Sequence, residues 1–227
     1  MDRATIDKQL AIRLEHFSAH PFLVDANSLR LSPEQVYRWI MCAGRESKSF
    51  VSILRNLISW CESKKIKDIL LANLDDELGN GVPEDAHYMH YLRLLDELGI
   101  PRTQFFSYTE NSGIKLALQL AYSISLARRE AWALGYMLIN EAMTPITYGA
   151  AKSGLMKYHP KLQTNFFDLH ISTDAIHLKN LLDAVEELPQ ECEGDVVFGL
   201  DMGERGMAVL LDEAYGVLDY SSDGLAA

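Results

Sequence analysis

Helical periodicity runs almost the whole length of this chain and leaves little room for any other element. Only 14 glycines and 7 prolines punctuate 227 residues, and no stretch of useful length alternates apolar and polar residues as a half-buried strand would. Ser32-Pro33-Glu34 reads as an N-cap followed by proline in the first helical turn. The pattern predicts helices over residues 4–19, 33–63, 65–78 and about 83–98, the last closed by Gly99-Ile100-Pro101. Residues 102–113 read as a connection. Residues 114–158 read as helical, with a kink or break expected at Pro145, Gly149 or Gly154. Further helices are expected over 162–188 and 202–218, with residues 220–227 frayed. No linker or repeat divides the chain. The expectation is a single all-α domain over residues 1–227, built as a bundle of seven to eight helices around one core.

Charge narrows the range of partners. Thirty-two acidic against 21 basic residues give a net charge of −11, which disfavours nucleic acid and anionic membrane surfaces. No apolar run reaches the roughly 18 residues of a membrane span. Met1-Asp2-Arg3-Ala4-Thr5 carries no apolar signal core, so a cytoplasmic location is expected. Cys42, Cys61 and Cys192 are odd in number and far apart, and read as spectators rather than a disulfide or CxxC framework.

The chemistry lies in the histidines and carboxylates. Residues 168–177 contain His170-x3-Asp174-x2-His177. At about 100° per residue these three fall at roughly 0°, 40° and −20° on a helical wheel, within one arc of roughly 60°. Leu181, Ala184, Val185 and Leu188 continue the stripe, so the face points inward. Buried imidazoles and a carboxylate need mutual hydrogen bonds or a cation. Glu77 ends one helical pattern and His87 opens the next, across Gly79-Asn80-Gly81. An acid in the Asp75-Asp76-Glu77 run is more often solvated, and His90, one turn beyond His87, is an alternative ligand. Glu141 is a lone acid after the apolar run from Ala131 to Ile139. It calls for either a cation or a buried arginine such as Arg128 or Arg45. Three carboxylates and three histidines projecting inward from several helices form a set that can hold two metal ions. Donors without thiolate suit iron or manganese. A second arrangement, Glu84-x-x-His87 with Asp174-x-x-His177, imitates the paired motif of ferritin-like bundles and would replace Glu77 by Glu84.

The ordered set Glu77, His87, Glu141, His170, Asp174 and His177 resembles the ligand pattern of the heme-oxygenase-like di-iron oxidases and oxygenases. That family shares its helical fold with heme oxygenase and the thiaminase-like proteins. The resemblance spans roughly Leu10 to Val185 in layout and is most specific at the terminal triplet. It implies two Fe(II)/Fe(III) ions held by those six residues and O2 as co-substrate, with an external reductant where the chemistry needs one. It further implies oxidation of a small amino or carboxylic acid, by desaturation, C–C cleavage, N-oxygenation or cyclisation in a specialised biosynthetic pathway. Heme binding would call on His16 or His20, and thiaminase-like chemistry on a nucleophilic Cys42 or Cys61. A self-consuming, p-aminobenzoate-synthase-like branch is a weaker match. Leu23 stands where the consumed tyrosine would be, Ala151 stands at the lysine position with Lys152 offset by one, and Asn140 replaces a further tyrosine. Arg45, Arg128 and Tyr148 are the candidate substrate contacts, an arginine fork being the natural partner of a substrate carboxylate. The scaffold is compatible with a homodimer. A non-catalytic helical interaction protein is the contrasting class, and it requires no six-ligand set.

Overall fold

The computed structural model describes residues 2–217. The expected fraying of residues 220–227 lies outside the described residues. Among the described residues there are ten α-helices, two short 3₁₀ turns and no strand. The helices are α1 (Arg3–Ser18), α2 (Pro21–Asn27), α3 (Pro33–Trp60), α4 (Lys64–Glu77), α5 (His87–Glu97), α6 (Arg102–Ser107), α7 (Ser112–Leu126), α8 (Glu130–Tyr158), α9 (Asn165–Val185) and α10 (Glu193–Tyr215). The all-α expectation holds, but the count of seven to eight was low. The short α2 and α6, of 7 and 6 residues, hold too few turns to show a period.

Local chemistry sets the helix starts. Ser32 and Gln35 form a reciprocal capping box with Pro33 in the first turn of α3, and the Ser63 hydroxyl caps α4. Two starts are capped from a distance. Glu213, fully buried on α10, accepts the backbone N–H groups of Asn111 and Ile114 at the start of α7, at 3.0 and 2.6 Å. Glu130 at the start of α8 accepts those of Glu62 and Ser63, at 2.7 and 2.8 Å. A carboxylate beside unpaired helical N–H groups also complements the helix dipole.

The break expected inside 114–158 occurs earlier. Arg128 adopts a left-handed backbone (φ 54°) and separates α7 from α8, whereas α8 continues through Pro145 to Tyr158. Proline at 145 withdraws the N–H that the Glu141 carbonyl would receive. Beside it, the hydroxyls of Thr144 and Thr147 donate to the carbonyls of Asn140 and Met143, at 2.8 and 3.3 Å. The last helix begins at Glu193, earlier than the expected 202, and Pro83 sits in a 3₁₀ turn ahead of α5.

α8 is the axis of the fold and packs on α9 to one side and α10 to the other. Its crossing with α10 depends on absent side chains. A Cβ on Gly135 would lie 2.9 Å from the Val196 carbonyl carbon, and one on Gly199 would lie 2.8 Å from the Tyr136 nitrogen. Both are closer than side chains normally come to backbone, so glycine permits the approach. Tightly packed helices thereby hold Glu141 on α8 against the inward face of α9.

Candidate metal centre

The six residues singled out from sequence converge from four helices. Glu77 is the last residue of α4 and His87 the first of α5; Glu141 lies mid-α8; His170, Asp174 and His177 lie along one face of α9. All six are buried, with exposures from 1 to 9%. They fall into two triads, Glu77–His87–His170 and Glu141–Asp174–His177. Within each, three donor atoms lie within 4.8 Å of one another.

Detailed contacts resemble coordination more than internal pairing. His87 Nδ1 is 2.9 Å from Glu77 Oε1, yet it lacks the alignment of a hydrogen bond. Two donors bound at about 2.1 Å to one cation, about 90° apart, lie about 3.0 Å from each other. His177 Nδ1 is 3.5 Å from Glu141 Oε2, and Asn73 Nδ2 donates to Glu141 Oε1 at 2.9 Å, which fixes the carboxylate plane. His170 Nδ1 lies 2.8 Å from the Phe166 carbonyl; as the donor there it leaves Nε2 for a metal.

Asp76 is the residue sequence reasoning missed. Asp76 is half-buried; its Oδ2 lies 3.4 Å from His87 Nε2 and 3.6 Å from His177 Nε2, and that oxygen is buried without a hydrogen bond, while Oδ1 accepts from Asn80 Nδ2. One carboxylate thus faces the outer nitrogens of two histidines, one in each triad. This is how outer carboxylates orient metal-bound imidazoles. Asn73, one turn earlier on α4, was missed too. The inward face of α4 was the available signal, since Asn73, Asp76 and Glu77 share it at helical spacing.

The electrostatics explain why the cluster calls for cations. Burial pushes the Asp174 carboxyl far above the usual carboxylate range, and Glu141 and Glu77 push it further. Burial pulls the His170 imidazole down to about 3, with His87 adding to the drop. Burial also opposes charge on His87 and His177, but it is outweighed by Glu77 and Asp76 for His87 and by Glu141 and Asp76 for His177. Both imidazoles are raised above their ordinary value. Among the described residues no lysine or arginine pairs with Glu77, Glu141 or Asp174. Buried carboxylates whose only potentially cationic neighbours are imidazoles fit divalent ions. The oxygen and nitrogen donors, with no thiolate, fit iron or manganese.

Four of the six, Glu77, His170, Glu141 and Asp174, form one wall of a cavity. Glu46, Ser47, Phe50 and Ile53 of α3 face them, with Ile114, Ala117, Leu118 and Ala121 of α7, Tyr136, Asn140, Thr144 and Tyr148 of α8, and Met207 and Leu210 of α10. Tyr148 is buried, and its ring centroid is 4.6 Å from that of His170. Burial, with Glu46 and Asp174 nearby, holds its phenol well above the usual value and therefore neutral.

The chain matches the sequence profile of the iron-containing redox enzymes over residues 46–205. It belongs to that family. No curated protein matches it significantly. Several solved structures share its fold. A domain of unknown function with a heme oxygenase-like fold from Shewanella denitrificans OS217 superposes with a TM-score of 0.79 at 15% identity, covering 95% of this chain and 92% of that one. A TenA homolog from Pseudomonas syringae pv. tomato DC3000 gives 0.74 at 10% identity, covering 93% and 91%. A CADD-like protein of unknown function from Nostoc punctiforme PCC 73102 gives 0.70 at 16% identity, covering 92% and 94%. At these identities the likeness is one of fold, and the iron-containing character of this family member comes from the sequence profile.

The other candidates lie elsewhere. Arg45 Nε is 2.8 Å from Glu110 Oε1, and its Nη2 donates to the carbonyls of Phe105 and Tyr108. Arg128 is exposed at the α7–α8 junction. Neither arginine lines the cavity; Tyr148 does. Glu84 is exposed and His90 half-buried, and both lie outside the two triads. Cys42 and Cys61 are buried, Cys192 half-buried, and none lines the cavity. Burial, with Glu213 and Glu46 nearby, lifts the Cys42 thiol well above the usual range, and burial with Glu130 lifts that of Cys61 to about 12. A nucleophilic thiolate has no support there. His16 pairs with Glu204, His20 caps α2 and meets Asp212, and Lys152 pairs with Asp168. No helix among the described residues is long and apolar enough to cross a membrane.

Proposed function

We propose that this chain is an O2-dependent non-heme di-iron oxidase or oxygenase acting on a small amino or carboxylic acid. The observation that carries this reading is the pair of buried triads, two residues of each lining a largely apolar cavity. Glu77, His87 and His170 would hold one iron, and Glu141, Asp174 and His177 the other. Bound iron supplies the Lewis acidity and the electrons for reducing O2.

The protein's own groups supply geometry. Asn73 holds one oxygen of Glu141 and leaves Oε2 turned toward His177. Asp76 faces the outer nitrogens of His87 and His177 and favours the tautomers whose Nδ1 is free to ligate. The Phe166 carbonyl favours the opposite tautomer of His170, receiving its Nδ1–H and leaving Nε2 free to ligate. Phe50, Ile53, Ile114 and Leu210 keep bulk water from the reacting face. The neutral Tyr148 phenol beside His170 is a group that can hold a proton at its Oη.

The experiment is oxygen consumption. Fe(II)-loaded protein is mixed with air-saturated buffer and a panel of amino acids and fatty acids under a supplied reductant. The reading expects substrate-gated O2 uptake that is lost in His177→Ala and Glu77→Ala. Full iron loading without O2 uptake under any condition overturns it.

A further inference from the structure

A second polar group lines the cavity and belongs to neither triad. Ser47 on α3 is 7% exposed, and its Oγ lies buried without a hydrogen-bond partner. Glu46, its neighbour, also lines the cavity and makes no hydrogen bond or ion pair among the described residues. Two other polar liners are already engaged: Asn140 donates to the Tyr136 carbonyl, and Thr144 to that of Asn140, while the phenols of Tyr136 and Tyr148 also line the cavity. The remaining lining is largely aliphatic and aromatic, and no lysine or arginine is part of it.

Charge decides what such a space admits. Four carboxylates line it: Glu46, Glu77, Glu141 and Asp174. In the di-iron reading the last three face the ions. Glu46 is left as a half-buried carboxylate lining the cavity with no protein cation, and covering it with a ligand that brings no counter-charge is costly. A ligand ammonium removes that cost. A ligand carboxylate beside Glu46 adds to it, and with Arg45 tied to Glu110 it has no guanidinium to meet.

We propose, on the basis of the di-iron reading, that the cavity selects an aliphatic primary amine. Glu46 and Ser47 Oγ receive its ammonium group, and its carbon chain lies on Phe50, Ile53, Leu118 and Leu210. Where the substrate is an amino acid, its amino group faces α3 and its carboxylate has only the metal side to turn to.

The test uses three probes of one chain length, n-hexylamine, hexan-1-ol and hexanoate, titrated calorimetrically into anaerobic Fe(II)-loaded protein. Iron content is measured first. Failure to load iron then refutes the di-iron reading itself, separately from any failure of the amine assignment. The expected result is hexylamine binding about tenfold or more tighter than either other probe. Glu46→Gln should weaken hexylamine by about tenfold or more while keeping two irons per chain and the hexanol affinity. Ser47→Ala should weaken hexylamine by several-fold, as for one lost hydrogen bond. Equal hexylamine affinity in Glu46→Gln, tighter binding of hexanoate, or loss of an iron in Glu46→Gln each overturns the assignment. The last outcome would make Glu46 a metal ligand instead.

Discussion

The α8–α10 crossing can be tested by a matched pair of glycine substitutions. In Gly199→Ala the new Cβ would lie 2.8 Å from the Tyr136 nitrogen and 3.0 Å from the Gly135 Cα. The Trp132 carbonyl oxygen would be closer still, and ordinary contact begins near 3.4 Å, so α10 must retreat from α8 by roughly 1 Å. Those neighbours are backbone, so no side chain can swing aside. Overpacking of this kind costs about 1–3 kcal/mol, and the upper end applies when two helices must move together. Alanine's better helix propensity returns about 1 kcal/mol, leaving a net loss of about 2 kcal/mol. In a chain of this size that lowers Tm by about 4–8 °C. The control is Gly149→Ala on α8, where the added Cβ meets nothing within 4 Å. It should gain about 0.5–1 kcal/mol. Urea unfolding with a shared slope measures both. If Gly199→Ala is neutral, or if the two variants shift stability by the same amount and sign, the close crossing is not what positions α8.

Three more predictions concern the cluster. Asn73→Ala should leave the fold intact but lower iron affinity by about tenfold or more, because Glu141 loses the donor that orients it; an unchanged titration curve would refute that role. Asp174→Asn should act in opposite directions with and without metal. The folded-state pKa of Asp174 is raised, so in the metal-free protein its cost to stability grows as pH rises above the unfolded value. The amide removes that cost, and metal-free Asp174→Asn should gain at least about 1 kcal/mol at neutral pH, read by thermal unfolding. The same variant should bind iron more weakly, and equal shifts in both states would contradict this account. Iron loading should also weaken as pH falls below neutrality. Asp174, His87 and His177 each hold protons at higher pH than usual, and those protons must leave. Each costs about tenfold in apparent affinity per pH unit. His170, with its pKa pulled down to about 3, adds no slope. A pH-independent titration between pH 5.5 and 7.5 would count against proton-coupled loading.

Several features were legible in the sequence because they are local. His170, Asp174 and His177 share one helix, so their common face follows from its period alone. Glu77 and His87 are joined by a Gly-Asn-Gly turn, and Glu141 stands out against an apolar helix. Asp76 and Glu46 were hidden by their neighbours: one sits in an acidic run, the other between Arg45 and Ser47 on a helix whose inward arc is set by tertiary packing. Arg45 shows the converse. Its charge is visible in the sequence, but its commitment to Glu110 and two carbonyls is made across 60 residues or more. The break after α7 depended on one left-handed residue, Arg128, which carries no glycine or proline signal, whereas Pro145 gave a strong signal in a helix that continues.

The central claim is that the two triads hold a pair of irons. The most direct measurement is anaerobic Fe(II) titration with metal analysis, followed by X-ray absorption at the iron edge. Two irons per chain, with nitrogen and oxygen neighbours and an iron–iron vector of about 3.5–4 Å, are predicted. A single iron per chain, sulfur in the first coordination shell, or no iron–iron scattering would contradict it.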